Sequence, residues 1–127
     1  MVTDHGNLRL EATDLELAAH RQVAVQAPQI ELTGLAGNMK FHRITTTAQE
    51  FDARVGAITM IAQTVQSTVG RLILKARNSF SWIENLNETR AGRMRLQIEN
   101  RFHLKSKHAT ILAEGQVKID GEKIDLG

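Results

Sequence analysis

The chain has 127 residues, a formal charge of +2 and no cysteine. That is the length of one domain, and the missing cysteines exclude a disulfide framework and any thiolate metal ligand or nucleophile, which fits a reducing compartment. So small a net charge, with basic and acidic residues interspersed and no basic stripe interleaved with aromatics, argues against nucleic acid as a partner. Four Phe, one Trp and no Tyr leave the apolar content to Leu, Ile, Val, Ala and Met. That stock suits a narrow, repetitive core better than a globular one. No signal-peptide pattern and no apolar run of about 18 residues occurs, so the expectation is a soluble protein without a membrane span. The repeat is already running at Leu8. So blunt a start is expected of a piece of a longer chain.

In chain order, the first array pairs Leu8 with Leu10, Leu15 with Leu17, Val23 with Val25 and Ile30 with Leu32. Each pair has the i, i+2 spacing of a strand. Arg9, Glu11, Glu16, Gln26 and Glu31 fall out of phase, the period-2 pattern of a strand with one buried face. Thr13-Asp14, His20-Arg21-Gln22 and Pro28-Gln29 read as corners. Met39/Phe41 adds a fifth strand after a break at Leu35 to Asn38.

The period then changes. Phe51, Val55, Ile58, Ala62, Val65, Val69, Leu72, Ala76, Ser79, Ile83 and Leu86 are spaced alternately four and three residues apart. That is the a/d seam of a heptad, and it predicts a helix over 65–86 that starts somewhere between 47 and 63. The same seven-residue repeat also fits the strands, since Ile44, Phe51, Ile58 and Val65 are evenly spaced. Ala91-Gly92 is the expected helix stop.

A second array closes the chain. Its pairs are Met94/Leu96, Phe102/Leu104, Ala109/Ile111, Val117/Ile119 and Ile124/Leu126, starting 8, 7, 8 and 7 residues apart. Repeats this short suggest stacked units. One chain alone supplies too few of them. Three chains around one axis would fill every layer. The predicted fold is therefore mainly β with one long helix, a homotrimeric triple-stranded β-helix, or β-prism, interrupted by a coiled coil. Residues 1–48 and 92–127 form the prisms and 49–91 the helical segment. The expected trimer core is Leu8, Leu10, Leu15, Leu17, Val23, Val25, Ile30, Leu32, Val65, Val69, Leu72, Leu96, Phe102, Leu104, Ile111, Val117, Ile119, Ile124 and Leu126. The competing reading is a monomeric β domain with one packed helix.

Residue chemistry adds little. His103 and His108 fall on or near exposed phases, and His5, His20 and His42 in or near corners, so solvated surface histidines are expected and no metal site. Asp120, Glu122 and Asp125 lie close together but lack a cleft to shift them. Lys105, Lys107, Lys118 and Lys123 read as a solubilising face. Phe80 and Trp82 flank the seam and would close the junction between helix and prism or dock a partner. No catalytic residues, no enzyme activity and no cofactor are expected. The uncapped last layer, Ile124, Asp125, Leu126 and Gly127, is the expected partner-docking end.

Leu8-Arg-Leu-Glu-Ala12 and Leu15-Glu-Leu-Ala-Ala-His20 resemble the triple-stranded β-helix of phage cell-puncturing spikes and type VI secretion spike proteins. With Ala76-Arg-Asn-Ser-Phe80, Arg90-Ala-Gly-Arg93 and the ending Asp120-Gly-Glu-Lys-Ile-Asp-Leu-Gly127, nearly the whole chain resembles a bacterial family, domain of unknown function 3540. Members are usually longer at the N-terminus, so a leading region is expected to be missing. The resemblance implies a structural adaptor of the type VI spike, a rigid trimeric rod joining spike to effector or tip proteins. It would act in the bacterial cytoplasm and be exported with the spike. A phage tail-spike or fibre segment, a polysaccharide hydrolase on a β-helix and a monomeric β binding module are the alternatives.

Overall fold

A computed structural model describes residues 6–127, so His5 lies outside the described residues. Among the described residues there is no helix and no β-strand. The chain is made of short extended segments separated by bends. It divides into two units, Met1–Gln63 and Thr64–Gly127.

In the first unit the bends fall at Gly6, Thr13-Asp14, His20-Arg21, Pro28, Leu35, His42, Gln49, Gly56 and Gln63. In the second they fall at Gly70, Arg77, Glu84-Asn85, Gly92, Glu99-Asn100, Lys107, Glu114-Gly115 and Glu122. Successive bends are 7 or 8 residues apart. Their residue types explain them. Glycine turns without a Cβ penalty, and Gly6 uses that freedom with φ at +70°. Asp, Asn and Ser-type corners hydrogen-bond their own backbone. Pro28 sits where its missing N–H costs nothing.

The corners expected at Thr13-Asp14, His20-Arg21 and Pro28 are therefore present. The elements between them are not as expected. A strand needs a second segment to complete its ladder. Within each unit, no two described residues twelve or more positions apart bring their Cα atoms within 8 Å. The predicted mainly-β fold is thus overturned. The single chain is neither a β-prism over residues 8–48 and 92–127 nor a β-helix.

The coiled-coil helix over 49–91 is overturned as well. Bends at Gln49, Gly56, Gln63, Gly70, Arg77 and Glu84-Asn85 cut through it. They also explain the misleading heptad. Each step of four, such as Val65 to Val69, lies inside one segment, and an even step keeps one face. Each step of three, such as Val69 to Leu72, crosses a bend that resets the phase. Side-chain geometry agrees. The Phe80 and Trp82 rings stack with centroids 6.1 Å apart and planes 12° apart. Residues two apart do not face each other on a helix, but they share a face of an extended segment. Far-UV circular dichroism is accordingly expected to lack the helical double minimum. A helical signal near a third of the chain would restore the helix over 49–91.

No described residue is buried. The total accessible surface is 16586 Å². A compact monomer of 14.1 kDa would expose about 6,700 Å², and a fully unfolded one about 20,000 Å². Ile98, the least exposed large apolar side chain among the described residues, still leaves 45% of its surface in solvent.

Candidate functional site

Extended backbone alternates its side chains between two faces, and the bends fix the phase of that alternation. In most segments the apolar pair begins two residues after a bend. Gly6 precedes Leu8/Leu10, Pro28 precedes Ile30/Leu32, Gly92 precedes Met94/Leu96, and Glu122 precedes Ile124/Leu126. We term this the apolar face. The residues of the expected core share it, from Leu8 and Leu10 through Val65, Val69 and Leu72 to Ile119, Ile124 and Leu126. In the single chain all of them are exposed, from 52% at Val117 to 93% at Leu32. One chain brings none of them together into a core.

The opposite face is polar. Arg9 Nη2 lies 3.5 Å from Glu11 Oε2 on it; a second pair, Arg90 Nη2 and Glu88 Oε1 at 2.9 Å, lies in phase with Leu86. Arg90 Nε also donates to Glu88 Oε1 at 3.0 Å. Both pairs are solvent-exposed, so each contributes little beyond about 1 kcal/mol. Across the bend at Lys107, Ser106 Oγ donates to the His108 carbonyl at 3.0 Å, a local brace of the kind that favours turns over ladders. At the expected docking end, the Gly127 N–H donates to Asp125 Oδ1 at 3.4 Å, while Leu126 stays 92% exposed.

The histidines are dispersed. His20 and His42 sit at bends, and His103 and His108 lie on the polar face. Among the described residues no group of three His, Asp or Glu side chains gathers to hold a metal ion. A wide-open hollow of about 430 Å³ lies inside the bend at Leu35, lined by Leu32, Thr33, Gly34, Leu35, Ala36 and Gly37. Thr33 is its one polar side chain, so it offers no catalytic group.

One feature escaped the reading of residues along the chain, and a pair already singled out there, Phe80 and Trp82, gains a face. Arg93, Arg95, Arg101, His103 and Lys105 alternate with Met94, Leu96, Phe102 and Leu104, so a basic series lies on one face. Phe80 and Trp82 lie on that polar face too, while Ser79 and Ser81 hold the apolar phase. Counting outward from each bend would have exposed both, because the bends, unlike net charge, fix which side a residue takes.

No helix among the described residues is long and apolar enough to cross a membrane. No curated protein and no solved structure matches the chain. The family model described as protein of unknown function (DUF3540) matches residues 1–127. The match spans the whole chain, including the terminal Asp120-Gly-Glu-Lys-Ile-Asp-Leu-Gly127, and on that ground the chain belongs to the DUF3540 family.

Proposed function

We propose that this protein is a non-catalytic structural adaptor that works as a homotrimer. One observation carries the reading: a periodic apolar face with nothing of its own chain to cover it. Ordering a backbone costs about 1–2 kcal/mol per residue. Burial is the term that offsets this, and the lone chain buries no described residue. Copies of the same chain carry the same period, so their apolar faces match along every segment. A segment with one apolar face and a bend every 7 or 8 residues is covered when two further segments converge on it, and three copies supply them symmetrically. That face is mainly aliphatic, with Phe41, Phe51 and Phe102 among its residues.

The adaptor role in the type VI secretion spike rests on the resemblance of the Leu-x-Leu-x-Ala repeats and of the terminal signature. In this reading the trimer joins the spike to an effector or tip protein. Ile124 to Gly127 are the proposed docking residues, with Ile124 and Leu126 both left exposed by their own chain, at 53% and 92%.

Light scattering behind a sizing column tests the assembly. A mass near three times 14.1 kDa is expected. A mass of 14.1 kDa would overturn it. Co-expression with the spike protein of a type VI cluster tests the role. Co-purification that is lost in Leu126→Asp is expected, and a spike protein that purifies alone would exclude it.

A further inference from the structure

We infer that Phe80, Trp82 and the arginines flanking them form a docking surface for an acidic protein segment carrying apolar side chains. The inference rests on the homotrimer reading for which face is covered. It adds where a partner binds and what its chemistry is.

The first observation is an inversion of phase. One repeat earlier, Leu72 and Leu74 hold the apolar face, with Arg71, Ile73 and Lys75 opposite. Between the bends at Arg77 and Glu84, Ser79 and Ser81 take the places of the two leucines. The two largest apolar side chains of the segment lie on the other side. They are not scattered there. Their rings stack at 6.1 Å and 12°, forming one paired aromatic plate. Single apolar residues on a polar face are ordinary. A stacked Phe–Trp plate that faces away from the cover is the kind of anchor found at the centre of protein interfaces.

The second observation is charge. Residues 71–107 contain nine of the sixteen Lys and Arg and three of the fourteen Asp and Glu. That is +6 in a chain of +2, so the remainder is net acidic. Arg71, Lys75 and Arg77 precede the plate, and Arg90, Arg93 and Arg95 follow it. Such a field attracts an anionic partner and sets the rate and register of its approach.

The partner is a protein segment rather than a nucleic acid. A single-strand groove tracks a continuous phosphate backbone with successive stacking platforms. Here Glu84 and Glu88 interrupt the cations beside the plate, and Glu88 already engages Arg90. One apolar plate with mixed charge at its edge matches a segment of acidic and aliphatic residues.

Fluorescence anisotropy of a labelled synthetic peptide alternating Glu and Leu tests this, with light scattering on the same samples. Salt-sensitive binding to the wild-type trimer is expected. It should weaken about tenfold in Arg93→Glu/Arg95→Glu and about thirtyfold in Phe80→Ser/Trp82→Ser, with both variants still trimeric. If the wild type is trimeric and the peptide binds both variants as well as it binds the wild type, or binds none of them, the docking surface is wrong and the trimer stands. If the wild type is monomeric, the assembly itself fails. If Phe80→Ser/Trp82→Ser dissociates the trimer, the plate faces the covered side and the inference falls. A single-stranded oligonucleotide of equal charge that outcompetes the peptide would replace it with nucleic acid.

Discussion

On the homotrimer reading proposed above, Leu17→Glu and Ile119→Glu are each expected to abolish assembly and leave the unassembled single chain. Both residues hold the apolar face, and both are left exposed by their own chain, at 74% and 68%. Covered by two other copies, each would contribute roughly 1.5–3 kcal/mol per side chain. Glutamate removes that contribution and places three carboxylates near one another. Desolvating an unpaired carboxylate costs several kcal/mol, and like charges raise one another's cost of ionisation. Three copies together exceed the roughly 5–15 kcal/mol that stabilises a typical fold. Glu16→Gln, one residue away on the polar face, is the control and should leave mass and melting temperature unchanged. Light scattering and thermal melts read both. A trimeric Leu17→Glu or Ile119→Glu protein would mean that the faces are assigned the wrong way round.

The second large effect is one of register. Inserting a single glycine between Leu72 and Ile73 is expected to destroy assembly, whereas inserting it beside Gly70 is expected to be tolerated. Inside a segment, one extra residue moves every later side chain to the other face. Leu74 and Ala76 would leave the apolar face, and Ile73 and Lys75 would enter it. Ile73 replaces the lost leucine, but the desolvated ammonium costs several kcal/mol per chain. At a bend, the extra residue only lengthens the spacing from 7 to 8, which the chain already does between Leu15 and Val23 and between Met94 and Phe102. Thermal melts and light scattering on the two insertions decide. Equal loss in both would show that the bends do not absorb register, and equal tolerance would show that the apolar face is not covered.

The corners of the first array were legible in residue types, because Thr13-Asp14 and Pro28 each have a local reason to turn. So was the alternation, from Leu8/Leu10 to Ile124/Leu126. The helix over 49–91 was misread because a seven-residue period is shared by two structures. Val65, Val69 and Leu72 fit a heptad, and they fit equally a segment of four on one face plus three across a bend. The third position of the segments favours the second in part: Ala53, Met60 and Leu74 are apolar there, where a helix would turn them away from its seam, while Ser67 and Ser81 are polar. The basic face from Arg93 to Lys105 was missed for a related reason. Charge summed over the whole chain is only +2, and the excess of +6 over residues 71–107 appears only when that stretch is counted by itself.

The sequence by itself determined the period, the corners at Thr13-Asp14, His20-Arg21 and Pro28, and the alternation of the two terminal arrays, since these depend on side-chain type and on the two-residue repeat of extended backbone. The structure decided what a period cannot. It showed that the bends run unbroken through 49–91, that no helix or strand forms among the described residues, and that no described residue is buried. Ladders and cores need surfaces brought together from outside a segment, and no short-range pattern states where those surfaces come from.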